Sequence, residues 1–420
     1  MSRAFIVTGL GFGDCGKGTV TDALARRHDA RLVVRFNGGA QAGHNVVLPD
    51  GRHHTFAQFG AASFVEGVRT HLSAHVIVHP TALAVEADYL TRAGVPDAFA
   101  RLTIDPRCLV TTPFHQAAGR LRERALGHGT CGVGVGETVR DSLAHPDDVL
   151  RIGELGLEHL ERIRHRLSLS LRSGERVGER GDADWSLLND SSISQRWLDA
   201  VRVVPLRLLR DEEVAHQHRE HSIIFEGAQG ILLDEHHGFH PHTTWSNCTA
   251  RNALHWLRHS PHKVERVGVL RSTLTRHGAG PLPSESPELS ARLPEPHNSS
   301  VGWQGAFRVG WFDPVLTRYA IEANGGVDSL ALTHVDRTQA QFVESYGFEL
   351  PRLTAREGTP ERLVQQAAIT RILAGARPTL ARIPEGDFAD WVEQVLRVPI
   401  GVTSHGPTHA DKQWRAVQPD

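Results

Sequence analysis

Short apolar runs alternate with longer stretches of helical periodicity along this chain. Residues 4–7 form an apolar run, residues 19–25 read as a helix, and 31–36 as a buried strand. Residues 74–78 predict a third strand, followed by helical spacing over 80–93 and 114–126. From 147 to 171 helical spacing dominates, with Leu155, Leu157, Leu160, Ile163 and Leu167 as the apolar face. Residues 173–194 are polar, charged and glycine-bearing, and predict a mobile loop. Beyond them lie strands at 222–226, 265–275, 329–333 and 398–402, and helices at 313–323, 360–374 and 388–396. Strands alternating with helices throughout predict an α/β fold with a mainly parallel sheet.

Composition narrows the partners. The chain of 420 residues carries 46 basic and 48 acidic side chains, a formal charge of −2, which gives no bulk electrostatic case for nucleic acid or a membrane surface. No apolar run is long enough to cross a bilayer, and the four cysteines form no CxxC, so a reducing cytoplasm is the expected compartment. His236 with His240, and His255 with His259, have a four-residue spacing, but neither pair carries the glutamate of a His-Glu-x-x-His motif, and they read as surface residues. Lysine occurs only at 17, 263 and 412, so one placed inside a glycine turn stands out.

That turn is Gly9-Leu10-Gly11-Phe12-Gly13-Asp14-Cys15-Gly16-Lys17-Gly18-Thr19, set between the first strand and the first helix. Backbone N–H groups and a positive helix end meet a phosphate in such a place. The spacing matches most of the phosphate-loop pattern, but Gly18 stands where Ser or Thr would supply a magnesium ligand. Asp14 is an extra carboxylate, read as a catalytic or metal-facing group. Glycine-bearing or polar loops recur at 37–45, 127–140, 226–247 and 333–336, and all five are expected at strand C-termini, where ligands of open α/β sheets bind. His44, in the second loop, would pair with Asp14 as acid and base. Asp336 loosely matches the carboxylate of a guanine reader, with a helix cap as the alternative.

These segments resemble the adenylosuccinate synthetase family. The resemblance lies in Gly13-Asp14-Cys15-Gly16-Lys17-Gly18, Gly38-Gly39-Ala40-Gln41-Ala42-Gly43-His44 and Phe225-Glu226-Gly227-Ala228-Gln229-Gly230. It continues in Thr275-Arg276-His277-Gly278-Ala279-Gly280-Pro281, Gly310-Trp311-Phe312-Asp313, Thr333-His334-Val335-Asp336 and Ser404-His405-Gly406-Pro407, in the family's order. It implies a P-loop-like α/β fold: a central, mostly parallel sheet with peripheral helices, one domain over 1–420, and a helical insertion at about 140–215. It further implies a ligase that uses GTP (ATP being the alternative) and Mg2+ to phosphorylate O6 of a purine nucleotide, IMP or a relative, and displaces the phosphate with aspartate. The implied partners are nucleotides and an amino acid or amine, with neither nucleic acid nor membrane, and a second copy in a homodimer.

By the same resemblance Asp14 would be base and metal ligand, His44 the acid, and Lys17 and Gln229 further catalytic groups, with Gly43 a second metal contact. Gly13, Gly16, Lys17, Gly18, Thr19, Asp336, Ser404, Gly406 and Pro407 would hold the nucleoside triphosphate. Gln41, Thr130, Arg140, Gln229 and Thr244 would hold the purine nucleotide, Arg140 that of the neighbouring subunit. The amine loop would contain Trp303, Gln304 and Arg308. The chain departs from the family at Cys15, where the family has Glu, at Gln41 for Asn, at His334 for Lys, and in 129–134. Most of all it departs in 301–308, where paired threonines and an arginine run give way to Trp303, Phe307 and one arginine. Each lost bond to a carboxylate costs about 1.5–3 kcal/mol, so aspartate is expected to bind poorly. Two alternatives follow: a specialised paralogue with a non-aspartate amine or a different nucleotide, and a nucleotide-binding protein without catalysis.

Overall fold

The computed structural model describes residues 2–127, 129–173, 183–295, 303 and 305–416. Nine strands form the main sheet: β1 (Arg3–Gly9), β2 (Leu32–Arg35), β3 (Arg69–Leu72), β4 (Leu102–Ile104), β5 (Ile223–Glu226), β6 (Lys263–Arg271), β7 (Ser329–Thr333), β8 (Ile400–Ser404) and β9 (Lys412–Trp414). Their spatial order is β9-β8-β7-β6-β1-β5-β2-β3-β4. Every pairing is parallel except β8 with the edge strand β9. β1 lies between β5 and β6, so the strand order switches at the glycine turn.

Both faces of the sheet are covered, which is why its central strands read as unbroken apolar runs. Phe5, Val7, Val33, Ile224 and Val267 pack with Val20 and Leu24 of the helix Lys17–Arg27. Ala4, Ile6, Leu32, Val34 and Phe225 pack on the other face with Ala253 and Leu257. A further core gathers Leu10, Leu270, Leu316, Leu332, Ile369 and Val392, beneath the helices Pro314–Ala323, Pro360–Gly375 and Phe388–Leu396. A separate one joins Leu83, Leu121, Leu160, Ile163, Leu188 and Leu198 from helices between Pro80 and Arg202. Among the described residues no helix is long and apolar enough to cross a membrane.

Four expectations need correction. The strand expected at 74–78 shrinks to Ile77–Val78, which pairs with Leu109–Val110 outside the main sheet. The sheet takes Arg69–Leu72 instead, a polar run made tolerable because buried His71 bonds Thr103 and Asp211. The strand expected at 265–275 ends at Arg271; Leu274–His277 leaves the sheet and pairs antiparallel with Phe307–Gly310. The helix expected from 147 begins at Leu157, after a short turn at Ile152–Glu154. In the expected loop 173–194, Ala183–Asn189 and the chain from Ser192 are helical, and 174–182 lie outside the described residues.

Candidate active site

Six parallel strands, β1, β2, β5, β6, β7 and β8, send their C-terminal ends or the loops after them to one cleft of about 630 Å³. Its lining includes Gly13 to Thr19, Gln41 to His44, Gln229, Arg271, Asp336, Ser404, Gly406 and Pro407. The loop at 127–140 is a correction to the common pattern: it joins the helices Pro113–Leu126 and Val135–Ala144 rather than following a strand, although its Cys131 reaches the cleft.

The backbone of the cleft is held in unusual conformations. Asp14, Gln229 and His334 have φ of 48°, 62° and 56°, three of the five non-glycine residues with positive φ among those described. Side chains in this region are costly, and the cost is borne where loops converge on a ligand. Gly18 explains its own departure from the phosphate-loop pattern. A Cβ there would lie 2.9 Å from the His44 Cβ and 3.0 Å from its carbonyl carbon, so a Ser or Thr would evict the histidine. Thr19 Oγ1 donates to the Pro407 carbonyl at 2.9 Å, tying the loop after β8 to the helix start.

Asp14 and His44 line the same cleft. Burial pushes the Asp14 carboxyl above its ordinary range, against the pull of Lys17, His277 and Arg271. No described group donates a hydrogen bond to that carboxylate, so its oxygens are free acceptors. His44 Nδ1 lies 2.6 Å from Glu226 Oε1, and Glu226 Oε2 accepts from the Ala61 N–H at 2.9 Å. Burial drives His44 down to about 4, with Arg35 and Lys17 adding to it and Glu226 opposing. Burial would raise the Glu226 carboxyl, but His44, Arg35 and the Ala61 amide hold it low. An ionised carboxylate only accepts, so Nδ1 carries the proton and Nε2 is left to address a bound molecule. A phosphate arriving beside Nε2 would raise the imidazole and make it a donor.

The Gln41 amide has both polar atoms buried without a partner among the described residues, an orphan that a ligand would satisfy. Asp336 stands at the short turn after β7, while burial and the charges of Arg271, Arg337 and Lys412 keep the neighbouring His334 neutral. Hard oxygen donors suit Mg2+, which takes one or two protein oxygens and completes its shell from phosphates and water. Asp14, with free carboxylate oxygens, and the Gly43 carbonyl meet that description.

Other expected residues stand elsewhere. Thr130, Arg140 and Thr244 do not line the cleft. Arg140, half exposed, lies 3.5 Å from Glu137 on its own helix, and the Thr244 N–H donates to the Leu233 carbonyl. Trp303 lines the cleft, Gln304 lies outside the described residues, and Arg308 donates to the Gly278 and Gly280 carbonyls and to Glu285. Phe307 packs edge-on against His277 rather than lining the cleft. Sequence reasoning gave no role to Glu226, whose signal was a charged residue closing the apolar strand Ile223-Ile224-Phe225. His277, which also lines the cleft, lies in the Thr275–Pro281 segment but was given no role there, and Arg271, Glu295 and Arg337, lining it too, lie in none of the segments that carry the resemblance.

The adenylosuccinate synthetase family model matches residues 6–344. The chain belongs to the adenylosuccinate synthetase family. Adenylosuccinate synthetase of Mycobacterium leprae is 33% identical over 343 residues, covering 79% of this chain and 77% of that one. The enzyme of Pseudomonas aeruginosa is 31% identical over 441 residues, covering 97% of each. Among solved structures, fully ligated adenylosuccinate synthetase of Plasmodium falciparum superposes with a TM-score of 0.76 at 20% identity, over 99% of this chain and 100% of that one. Succinoaminodeoxyadenylate synthetase of cyanophage S-2L, bound to dGMP and dATP as an energy donor, gives 0.62 at 17% identity, over 99% and 95%. As an adenylosuccinate synthetase family member the chain is a carbon–nitrogen ligase, built on the family's P-loop-like α/β fold.

Proposed function

We propose that this ligase uses GTP to phosphorylate O6 of a purine nucleoside monophosphate, IMP or a relative, and lets an amine displace the phosphate. The observation that carries this is the shared cleft: Asp14, Lys17 and His44 converge on a volume large enough for nucleotides. Asp14, its carboxyl raised by burial, takes the purine N1 proton, and electron density moves to O6. Lys17 and the amides of 13–19 hold the phosphates, and Gln229 and Gln41 orient the purine nucleotide. His44, steadied by Glu226, donates from Nε2 to the phosphoryl oxygens as charge builds there. Bound Mg2+, held by Asp14 and the Gly43 carbonyl, would neutralise phosphate charge. O6 bonds to the γ-phosphorus as the bond to the β-phosphate oxygen breaks and GDP leaves with its electron pair; the amine nitrogen then bonds to C6, the C6–O bond breaks, phosphate leaves with its electron pair, and the nitrogen's surplus proton passes to that phosphate.

Asp336 reads the guanine of the donor, with Ser404, Gly406 and Pro407 beside it. The dATP and dGMP of the cyanophage relative make ATP and a deoxynucleotide the alternatives to test. We propose further that the chain acts as one domain with a helical insertion at about 140–215, and as a homodimer in which Arg140 reaches the partner's nucleotide. Its exposure and its place outside its own cleft favour this.

The test is mass spectrometry of products from IMP, GMP and their deoxy forms, with GTP or ATP and a pool of amino acids. A new C–N product with stoichiometric phosphate, lost in Asp14→Ala, is expected. Binding of nucleotides without turnover under every combination would reduce the protein to a nucleotide-binding one.

A further inference from the structure

Of the chain's three lysines, Lys17 belongs to the phosphate turn and Lys263 is exposed at the start of β6. Lys412 is the third. It opens the edge strand β9, yet it is only 7% exposed. Burying an ammonium is costly unless its donors are taken up. Its Nζ donates to the Thr408 carbonyl at 2.7 Å and to the Gly406 carbonyl at 3.1 Å. Both carbonyls belong to the loop after β8 whose Ser404, Gly406 and Pro407 line the cleft, while Lys412 itself does not line it.

The rest of this loop is fastened by side chains too. Asp411 accepts from the Thr408 N–H at 2.8 Å and from its hydroxyl at 2.7 Å, and the Asp411 carbonyl accepts from the His405 N–H. Ser404 Oγ donates to the Gly406 carbonyl at 3.1 Å, and Thr19 Oγ1 takes the Pro407 carbonyl. A Cβ at Gly406 would lie 2.7 Å from the Asp411 carboxyl, so the loop rests directly on that residue. Among the described residues the Gly406 N–H has no partner, whereas those of His405 and Thr408 are both taken.

The charges of Asp411, Asp22 and Asp336 support the Lys412 ammonium against its burial. Asp22 is paired with Arg26 and lies 3.6 Å from His409 Nδ1. Arg337 Nε lies 3.8 Å from Asp336 Oδ2, both side chains being half-exposed. At 334, where the family resemblance calls for lysine, this chain has a neutral histidine, and Lys412 is among the charges that keep it so.

We infer that Lys412 is a positioning residue for the nucleoside triphosphate: from behind the loop after β8 it sets the carbonyls of Gly406 and Thr408, and through them the wall on which the base lies. This rests on the ligase reading above, in which Asp336, Ser404, Gly406 and Pro407 hold the donor. With its carbonyl tied to the ammonium, Gly406 keeps its N–H for a ligand, a donor to complement the acceptor Asp336. Without the ammonium the Thr408 carbonyl loses its partner and the Gly406 carbonyl one of two. The phosphate turn keeps its own backbone, so the loss falls on the base rather than on the phosphates.

Calorimetry with GTP, ATP and inorganic tripolyphosphate, Mg2+ present, tests this in the wild type, Lys412→Met and Lys412→Arg. Tripolyphosphate reports the phosphate turn alone, so its Kd divided by that of the tighter nucleotide reports what the base end adds. Ratios taken within one protein cancel any loss of folded chain, and should Lys412→Met not fold, Lys412→Gln is read by the same ratio. Lys412→Met should shrink the ratio by about tenfold, and Lys412→Arg, which keeps charge and donors, should shrink it less. In turnover the KM of the triphosphate should rise about tenfold in Lys412→Met, while that of the purine monophosphate stays within about twofold. An unchanged ratio, or equal losses for nucleotide and tripolyphosphate, overturns the inference and spares the ligase reading. A shrunken ratio in a protein that yields no C–N product with any purine nucleotide and amine supports the inference and overturns the ligase reading.

Discussion

The phosphate turn and the Glu295–Trp303 wall share one cleft but are assembled differently. Asp14, Lys17 and His44 come from two loops flanking the first helix, and their side chains reach the cleft wherever those loops keep their backbone shape. Arg271, Glu295, Trp303 and Arg337 come from the end of β6, the turn after β7 and the segment between, and they make a surface only once the chain has folded. Chemistry common to a family can therefore be carried by short motifs, whereas a pairing such as that of Arg271 with Glu295 is recorded by no motif.

The sharpest way to break this contrast is at the phosphate turn. Asp14→Asn and His44→Ala should each lower turnover by about two orders of magnitude or more with every amine alike. Near-normal phosphate release in either variant would remove the assigned roles. Glu226→Gln is next: the amide cannot hold a protonated imidazole as a carboxylate does, and turnover should fall by about ten- to a hundredfold. Nucleotide affinity, read by calorimetry, should change little in comparison; an equal loss of affinity would mean that Glu226 only holds the loop together.

Gly18→Ser asks whether the turn can accept the missing hydroxyl. Overpacking of this kind costs about 1–3 kcal/mol, and a lower melting temperature together with lost turnover is expected as His44 is displaced. An unchanged melting temperature and full activity would mean that the close approach is not a constraint.

The smallest effect is a pH dependence of stability that spans the whole chain. Burial lowers His28, His44 and His218 to about 4, and depresses His334 as well. Between about 4 and the unfolded value near 6.5 the unfolded chain holds more protons, so stability rises with pH through that window. Half-exposed His28 contributes less than buried His44. Melting should fall by a few degrees from pH 7 to pH 5; a flat profile would show that these rings are protonated in the folded state.

Much of the frame was legible because the central strands are apolar on both faces, and Ser329–Thr333 was read to the residue for that reason. The helix Phe388–Leu396 was read to the residue from its apolar periodicity. Arg69–Leu72 was not, since its polar side chains are satisfied by Thr103 and Asp211, partners distant in sequence. In the cleft, Asp14, Lys17 and His44 stood out by their glycine neighbours. Glu226 and Glu295 did not, because an isolated glutamate acquires meaning only from the imidazole or guanidinium that tertiary folding brings to it.

The approach of Gly18 to the His44 Cβ and carbonyl carbon, within 2.9–3.0 Å of where a side chain would begin, sets how near two glycine-bearing loops can stand. The bare backbone at 18 is a spacer of fixed thickness: any side chain there would widen the gap between the phosphate turn and the loop that carries His44.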